Sequence, residues 1–408
     1  MTLTQNQEQV VQEGVNWFKN SSDQIFEISG AAGTGKSVVL NEIVRRLRLK
    51  PSKVLPIAFT GQAAIVMRMK GFCNAKTLHS TFFHIVKEPI PPNPFDKYNK
   101  KYNRPKYRVE FRPLPVGVYR DKQLIVVDEG YMIPENLKYV ITKHGMKILV
   151  AGDSGQLPPI GGQPAFLTGY GIHYLTQIMR QEADNPIIYL ADRARRGLNI
   201  DCGCYGDKAI VIQDTDLTDS MLANFGITIC GTNRTRDIIN NRVRQYIGTA
   251  DTPYPKYGER IICRDNNWDI ELDGIALANG LAGTVASPYS INSFDSFEKG
   301  TFYLDFLPDL LQIPFMNLEV NYKYLISDYN TRNELKNLKK TDDYWMVPGE
   351  LFEYAYGLTT HLSQGGEYPA GIYYEEFLRP DIQNQLNYTG ITRFKQFLVY
   401  CKKTKKYF

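Results

Sequence analysis

Among 408 residues the chain carries only six cysteines, five histidines and three tryptophans. The cysteines (Cys73, Cys202, Cys204, Cys230, Cys263, Cys401) are scattered and form no Cys-x-x-Cys pair, which excludes a disulfide framework and the usual zinc spacings. Cys202 and Cys204 flank one glycine and read as a polar loop rather than a ligand pair. Such usage fits a reducing, cytoplasmic compartment. No apolar leader and no long uncharged apolar stretch occurs, so neither secretion nor a membrane partner is expected. Neither sign of charge dominates: the net charge is +5, too small to argue for a polyanionic partner by itself. There is no internal repeat, and the one biased tract is the basic tail Lys402 to Lys406. What remains is an ordinary globular composition, 43% hydrophobic and 22% charged. The chain is too long for a single core and suggests roughly two to four domains.

One segment stands out. Residues Gly30 to Ser37 read Gly-Ala-Ala-Gly-Thr-Gly-Lys-Ser, a complete G-x-x-x-x-G-K-[ST] phosphate-binding loop. An apolar run with Ile25, Phe26 and Ile28 precedes it as a buried strand, and Val38, Val39, Leu40, Ile43, Val44 and Leu47 follow at helical spacing. Loop amides and a helix N-terminus then face an anion together. Gly33 and Gly35 shape the loop, Lys36 would reach the β- and γ-phosphates, and Ser37 would hold Mg²⁺. The ligand is a nucleoside triphosphate; the loop does not say what its energy drives.

Two further apolar runs, Leu124 to Val127 and Ile148 to Ala151, end in Asp128-Glu129 and Gly152-Asp153. Parallel strands carry ligand chemistry at their carboxyl ends, so both acidic endings belong on the edge that carries the phosphate loop. Asp128 would hold the Mg²⁺ shell and Glu129 would polarise the attacking water. Gln156, in Gly152 to Pro159, would sense the γ-phosphate. These signals predict a RecA-like ATP-binding domain over 1–175. Residues 88–122 interrupt it with clustered prolines and alternating basic and aromatic residues. This insertion reads either as a solvated hairpin or, as favoured here, as an arm with cations for phosphates and rings for bases. A second α/β domain is expected over 176–264 and 351–408. Between its halves, 265–350 has few helical periodicities, many aromatics and turns such as Asn279-Gly280, which predicts an inserted β module.

The order of these blocks resembles the superfamily 1B (RecD-like) DNA helicases, phage members included, and the likeness runs over nearly the whole chain. Leu3-Thr4 with Gln7 resembles the adenine-reading Q motif, Thr60 to Ala64 motif Ia, and Thr77-Leu78-His79-Ser80 motif Ib. Asp128-Glu129 resembles motif II, Gly152 to Pro159 motif III, Ile178 to Gln181 motif IV, and Thr232-Asn233 through Arg244 a block of the second domain. Thr359 to Glu367 resembles motif V and Tyr388 to Arg393 motif VI.

The resemblance implies an α/β fold of two RecA-like P-loop domains, with a β-rich pin insertion in the first and an SH3-like β-barrel insertion in the second that braces the pin. ATP would lie between the domains, with Gln7, Gly365 and Glu367 beside it. Arg180 and Arg393 would act as arginine fingers, groups worth about 10³–10⁵ in rate in well-studied cases. Thr60, Thr77, His79, Thr359, His361 and Ser363 would touch a single strand, with a buried structural role as the alternative for the two histidines. Phe95, Tyr98 or Tyr102 would form the pin tip. Expected partners are single-stranded and forked DNA and a single-strand binding protein, with the chain a monomer in a bacterial or phage-infected cytoplasm, in replication or recombination. The activity implied is 5′–3′ translocation with unwinding; the alternatives are a DNA-stimulated translocase that displaces proteins, or an ATP-switched loader. Departures from the family pattern fall at Gly130-Tyr131, Leu362, Gly390 and Phe394, and none removes a catalytic group.

Overall fold

The computed structural model describes residues 3–89, 107–179, 184–287, 300–341 and 346–404. Arg180 and the pin-tip candidates Phe95, Tyr98 and Tyr102 lie outside the described residues. The chain divides into two compact units, Met1–Leu78 with Val116–Ala250 and Ala355–Phe408, and His79–Pro115 with Asp251–Tyr354.

The first unit holds two sheets. One is six-stranded and wholly parallel: β1 (Ile25–Gly30), β2 (Val54–Ala58), β3 (Lys76–Thr77), β6 (Leu124–Val127), β7 (Lys147–Gly152) and β8 (Ile172–Leu175), in the order β3-β2-β6-β7-β1-β8. β6 is buried at every position, as a strand covered on both faces must be, and this explains its unbroken apolar run. Helices α1 (Gln5–Asn20) and α2 (Lys36–Leu47) bury Val10, Val11, Trp17, Val39, Leu40 and Ile43 in one core with Phe26 and Ile28 of β1. Because β1, β7 and β6 are adjacent and parallel, Gly30, Gly152 and Asp128 emerge on one edge.

The other sheet, β19-β11-β20-β21-β10-β9, comprises β9 (Gly203–Tyr205), β10 (Ala209–Gln213), β11 (Thr228–Cys230), β19 (Gly357–Thr359), β20 (Tyr368–Tyr374) and β21 (Phe394–Lys402), with β9 its antiparallel edge. Helices Pro186–Arg195, Asn233–Tyr246 and Gln383–Ile391 accompany it. Gly390 and Phe394 are each fitted to close neighbours. A Cβ on Gly390 would lie 2.2 Å from Tyr373 Cε2, and the Phe394 ring fills the space over Gly371, where a Cβ would lie 2.3 Å from it.

The second unit combines the hairpin β4 (Phe83–Pro89) and β5 (Tyr107–Pro113), in register from Phe83↔Pro113 to Pro89↔Tyr107, with the β module. That module is a five-stranded antiparallel sheet, β17-β16-β15-β12-β18, of β12 (Arg260–Cys263), β15 (Ala282–Val285), β16 (Thr301–Pro308), β17 (Phe315–Asn321) and β18 (Phe352–Tyr354). A hairpin of β13 (Asn267–Leu272) and β14 (Ile275–Leu277) accompanies it. The expected limits of 265–350 are too narrow: β12 and β18 pair with each other and with the module, so it runs from Asp251 to Tyr354. It is also less purely β than expected, since Tyr322–Ile326 and Tyr329–Leu338 are helical. Asn321 and Asp328 cap these helices with side-chain bonds to Tyr324 and Thr331, signals easily lost among polar turn residues. Within the unit, Trp268 of β13 meets Phe111 of β5 edge-on at 4.7 Å, and the His79 ring lies parallel to Trp268 at 6.4 Å and to Phe83 at 5.5 Å.

Candidate nucleotide cleft

The phosphate loop turns at Gly33 and Gly35, each with φ of 80°, and Gly35 caps α2 from the left-handed region. A Cβ there would meet Gln7 Nε2 at 2.5 Å and Met179 Sδ at 2.8 Å, so glycine is required twice over. Lys36 folds back over the loop, its Nζ donating to the carbonyls of Gly30 (2.7 Å) and Ala31 (3.2 Å). Ser37 Oγ donates to Asp128 Oδ2 at 3.4 Å. These two oxygens form a small, hard donor set suited to Mg²⁺, which keeps waters and phosphate oxygens as its other ligands. Burial pushes the Asp128 carboxyl up, with Lys70 and Lys36 pulling the other way, so a cation there would relieve its cost. Among the described residues no group of three or more His, Cys, Asp or Glu side chains could form an all-protein cage. Glu129 stands beside Asp128 with φ of 53°, a strained conformation for a residue with a side chain.

Gln7 is buried, and its amide is engaged by protein: Oε1 accepts from the Thr4 backbone in a capping box, and Nε2 donates to the Thr34 carbonyl at 2.9 Å. It therefore holds the phosphate loop to α1. Gln156 is buried with its Oε1 unpartnered, an acceptor that a donor must satisfy in the working cleft.

The second sheet supplies the opposite wall. Arg393 is buried at 4% exposure and donates to the carbonyls of Thr389 (3.2 Å) and Gly366 (3.3 Å) and to Thr392 Oγ1. Glu367 pairs with Lys70 from the first domain at 2.8 Å and with Lys395 at 3.4 Å. Burial would raise the Glu367 carboxyl, but Lys395 and Lys70 outweigh it and hold the group down to about 2. Burial works against the Lys70 ammonium, yet Asp128, Glu367 and Glu129 keep it above the ordinary lysine value. Gly365 backs onto α3 (Gly61–Met69), where a Cβ would lie 2.7 Å from Ala63 Cβ and 2.8 Å from Thr60 Oγ1. A cavity of about 440 Å³ opens between Gly30, Ala31 and Ala32 on one side and Tyr189, Arg195 and Tyr388 on the other.

The strand-contact candidates separate. Thr60 caps α3, its Oγ1 accepting from Ala63 N–H at 3.2 Å, and Thr77 ends β3 half-exposed. His79 and His361 are each pushed below the ordinary imidazole value by burial, which keeps them neutral. Thr359 is 7% exposed and its hydroxyl accepts from Leu362 N–H. Ser363 has no exposed surface and donates to the Thr360 carbonyl, so its side chain supports the turn rather than meeting a strand. Lys70 and Lys395 carry no motif label and escaped the sequence reading, whereas Asp153 lay inside the Gly152 to Pro159 block without a role of its own. Only charge near the acidic pair could have marked Lys70, and that nearness is tertiary.

This geometry defines a phosphate-loop nucleotide-binding protein built on two RecA-like sheets. An AAA-domain family model matches residues 2–213, just over half of the chain, and the chain belongs to that family. It is 31% identical over 156 residues to the ATP-dependent DNA helicase PIF1 of Emericella nidulans, covering 34% of this chain and 18% of that protein. It is 28% identical over 185 residues to the ATP-dependent DNA helicase Pif1 of Psychrobacter, covering 38% of this chain and 25% of the relative. The chain thus spans less than a third of the length of these relatives. A solved structure of Bacteroides Pif1 bound to single-stranded DNA superposes over 98% of this chain and 92% of its own, with a TM-score of 0.54 at 16% identity. That of Candida albicans Pif1 helicase gives 0.52 at 18%, over 98% and 94% of the two chains. These likenesses establish the fold. Among the described residues no helix is long and apolar enough to cross a membrane.

Proposed function

We propose that the chain is an ATP-dependent DNA helicase that moves 5′ to 3′ on single-stranded DNA and separates duplex ahead of it. The observation that carries this reading is the cleft itself. Lys36, Ser37 and Asp128 gather on one sheet edge, and the segment bearing Glu367 and Arg393 meets that edge through the Lys70–Glu367 pair. Lys36 neutralises the phosphates, and Ser37 and Asp128 would hold Mg²⁺, whose charge stabilises the transferred phosphoryl group. Glu129 orients the attacking water, Gln156 senses the γ-phosphate, and Arg393, with Arg180 as its counterpart, answers the charge of the transition state. Gln7 positions the loop under the nucleotide, and Gly365 with Glu367 couples it to the second domain. Thr60, Thr77, Thr359 and His361 in the first unit, and His79 in the second, are the side chains proposed to touch a DNA backbone. The hairpin of β4 and β5, which begins at Phe83 and closes at Pro113, with Trp268 packed on Phe111, supports reading the insertion expected over 88–122 as the strand-separating pin, braced by an SH3-like module. The working partners are single-stranded and forked DNA, with a single-strand binding protein in attendance and the chain acting as a monomer.

The test is strand displacement on 5′-tailed and 3′-tailed DNA and RNA duplexes, with Lys36→Ala as control. Unwinding of the 5′-tailed DNA and none by the variant is expected. Unwinding only from a 3′ tail would overturn the polarity, and undiminished ATP hydrolysis by Lys36→Ala would overturn the site.

A further inference from the structure

Tyr388, on the helix Gln383–Ile391 beside the second sheet, touches the phosphate loop itself. Its hydroxyl accepts from the Ala32 backbone N–H at 2.8 Å and donates to Asp153 Oδ2. Its ring is buried at 1% exposure, with the Arg195 guanidinium 5.9 Å from the ring centroid. The turn after β7 fits closely against these groups: a Cβ on Gly155 would meet Arg195 Cδ at 3.1 Å and Tyr388 Cε1 at 3.4 Å. Next to Tyr388, Thr389 Oγ1 accepts from Leu157 N–H at 3.0 Å, and Gln364 Nε2 donates to the Leu157 carbonyl at 2.9 Å. The segment Asp153–Leu157 is therefore gripped at both ends by consecutive residues of one helix, with the unpartnered Gln156 Oε1 between the grips.

We propose that Tyr388 is a positioning residue that links occupancy of the phosphate loop to the placement of Gln156, a role that rests on the ATP-hydrolysing function argued above. Amides of a phosphate loop serve anionic oxygens, and an anionic oxygen is a stronger acceptor than a phenol. A phosphate that takes the Ala32 N–H displaces the Tyr388 hydroxyl from the loop and leaves it bound to Asp153 alone. Tyr388 and Thr389 are adjacent, so the displacement moves the anchor of Leu157 and with it the amide of Gln156. Burial, followed by the nearby Asp153 charge, pushes the phenol well above its ordinary value, so it keeps the proton that it donates.

The test compares wild type, Tyr388→Phe and Asp153→Asn for binding of a fluorescent ATP analogue and for kcat and KM of ATP hydrolysis with saturating single-stranded oligonucleotide. Tyr388→Phe removes the competitor for Ala32 but keeps the ring. It is expected to bind the analogue at least as tightly as wild type while kcat falls about tenfold. Asp153→Asn is expected to shift kcat in the same direction by less, and gives the same readout if the phenylalanine variant does not fold. Equal loss of affinity and kcat would make the hydroxyl a binding group and overturn the proposal, as would unchanged kcat in both variants. Wild type that fails to bind the analogue would overturn the ATPase reading itself, whereas a wild type that hydrolyses ATP beside kinetically identical variants would overturn only the role of Tyr388.

Discussion

Replacing Glu367 by glutamine removes the only carboxylate in contact with Lys70 and Lys395 in the ion pairs of the described residues. Lowering a carboxyl from 4.5 to about 2 corresponds to about 3.4 kcal/mol at most. The Glu367 side chain retains 30% exposure and that of Lys395 50%, so solvent screening reduces this to about 1.5–2 kcal/mol. The folded carboxyl ionises at lower pH than the free side chain. Its contribution is therefore complete above about pH 4.5 and drains away as pH falls towards 2. Urea unfolding of wild type and Glu367→Gln should differ by about 1.5–2 kcal/mol at pH 7 and converge as pH is lowered from 5 towards 2. High salt should narrow the gap at pH 7, because half-exposed ions are screened. A gap that is absent at pH 7, or constant across this pH range, would refute the reasoning that Lys70 and Lys395 hold this carboxylate ionised.

Gly130→Ala would place a Cβ 2.4 Å from Val150 Cγ1 in the core under the acidic pair, and thermal melting should register a loss of about 1–3 kcal/mol. Arg393→Ala should lower kcat for ATP by about 10³ or more with a smaller change in nucleotide affinity; a change below tenfold in a steady-state assay would remove Arg393 from the transition state. Trp268→Ala deletes the ring behind Phe111 and His79 and should reduce strand displacement more than single-strand-stimulated ATP hydrolysis; equal losses in both assays would argue against a bracing role.

The nucleotide-binding half was legible because its chemistry is local. Gly30 to Ser37 lie in one strand-loop-helix unit, and the apolar runs before Asp128 and Gly152 announce buried parallel strands whatever surrounds them. The β module was legible in kind but not in extent, because β12 and β18 are too short to declare a partner, and only their pairing assigns them. The helices Tyr322–Ile326 and Tyr329–Leu338 were missed because polar caps and short length leave almost no periodic signal. Ser363 matched its motif in type, and only burial shows that its hydroxyl faces inward. Sequence alone therefore determined that the chain carries a complete phosphate-binding loop between a strand and a helix and which residues line it, since those residues are neighbours along the chain. Tertiary structure alone decided how Lys70 meets Glu367, and how Tyr388 reaches Ala32 across 356 positions. Such contacts depend on where two sheets meet, and no local spacing encodes that.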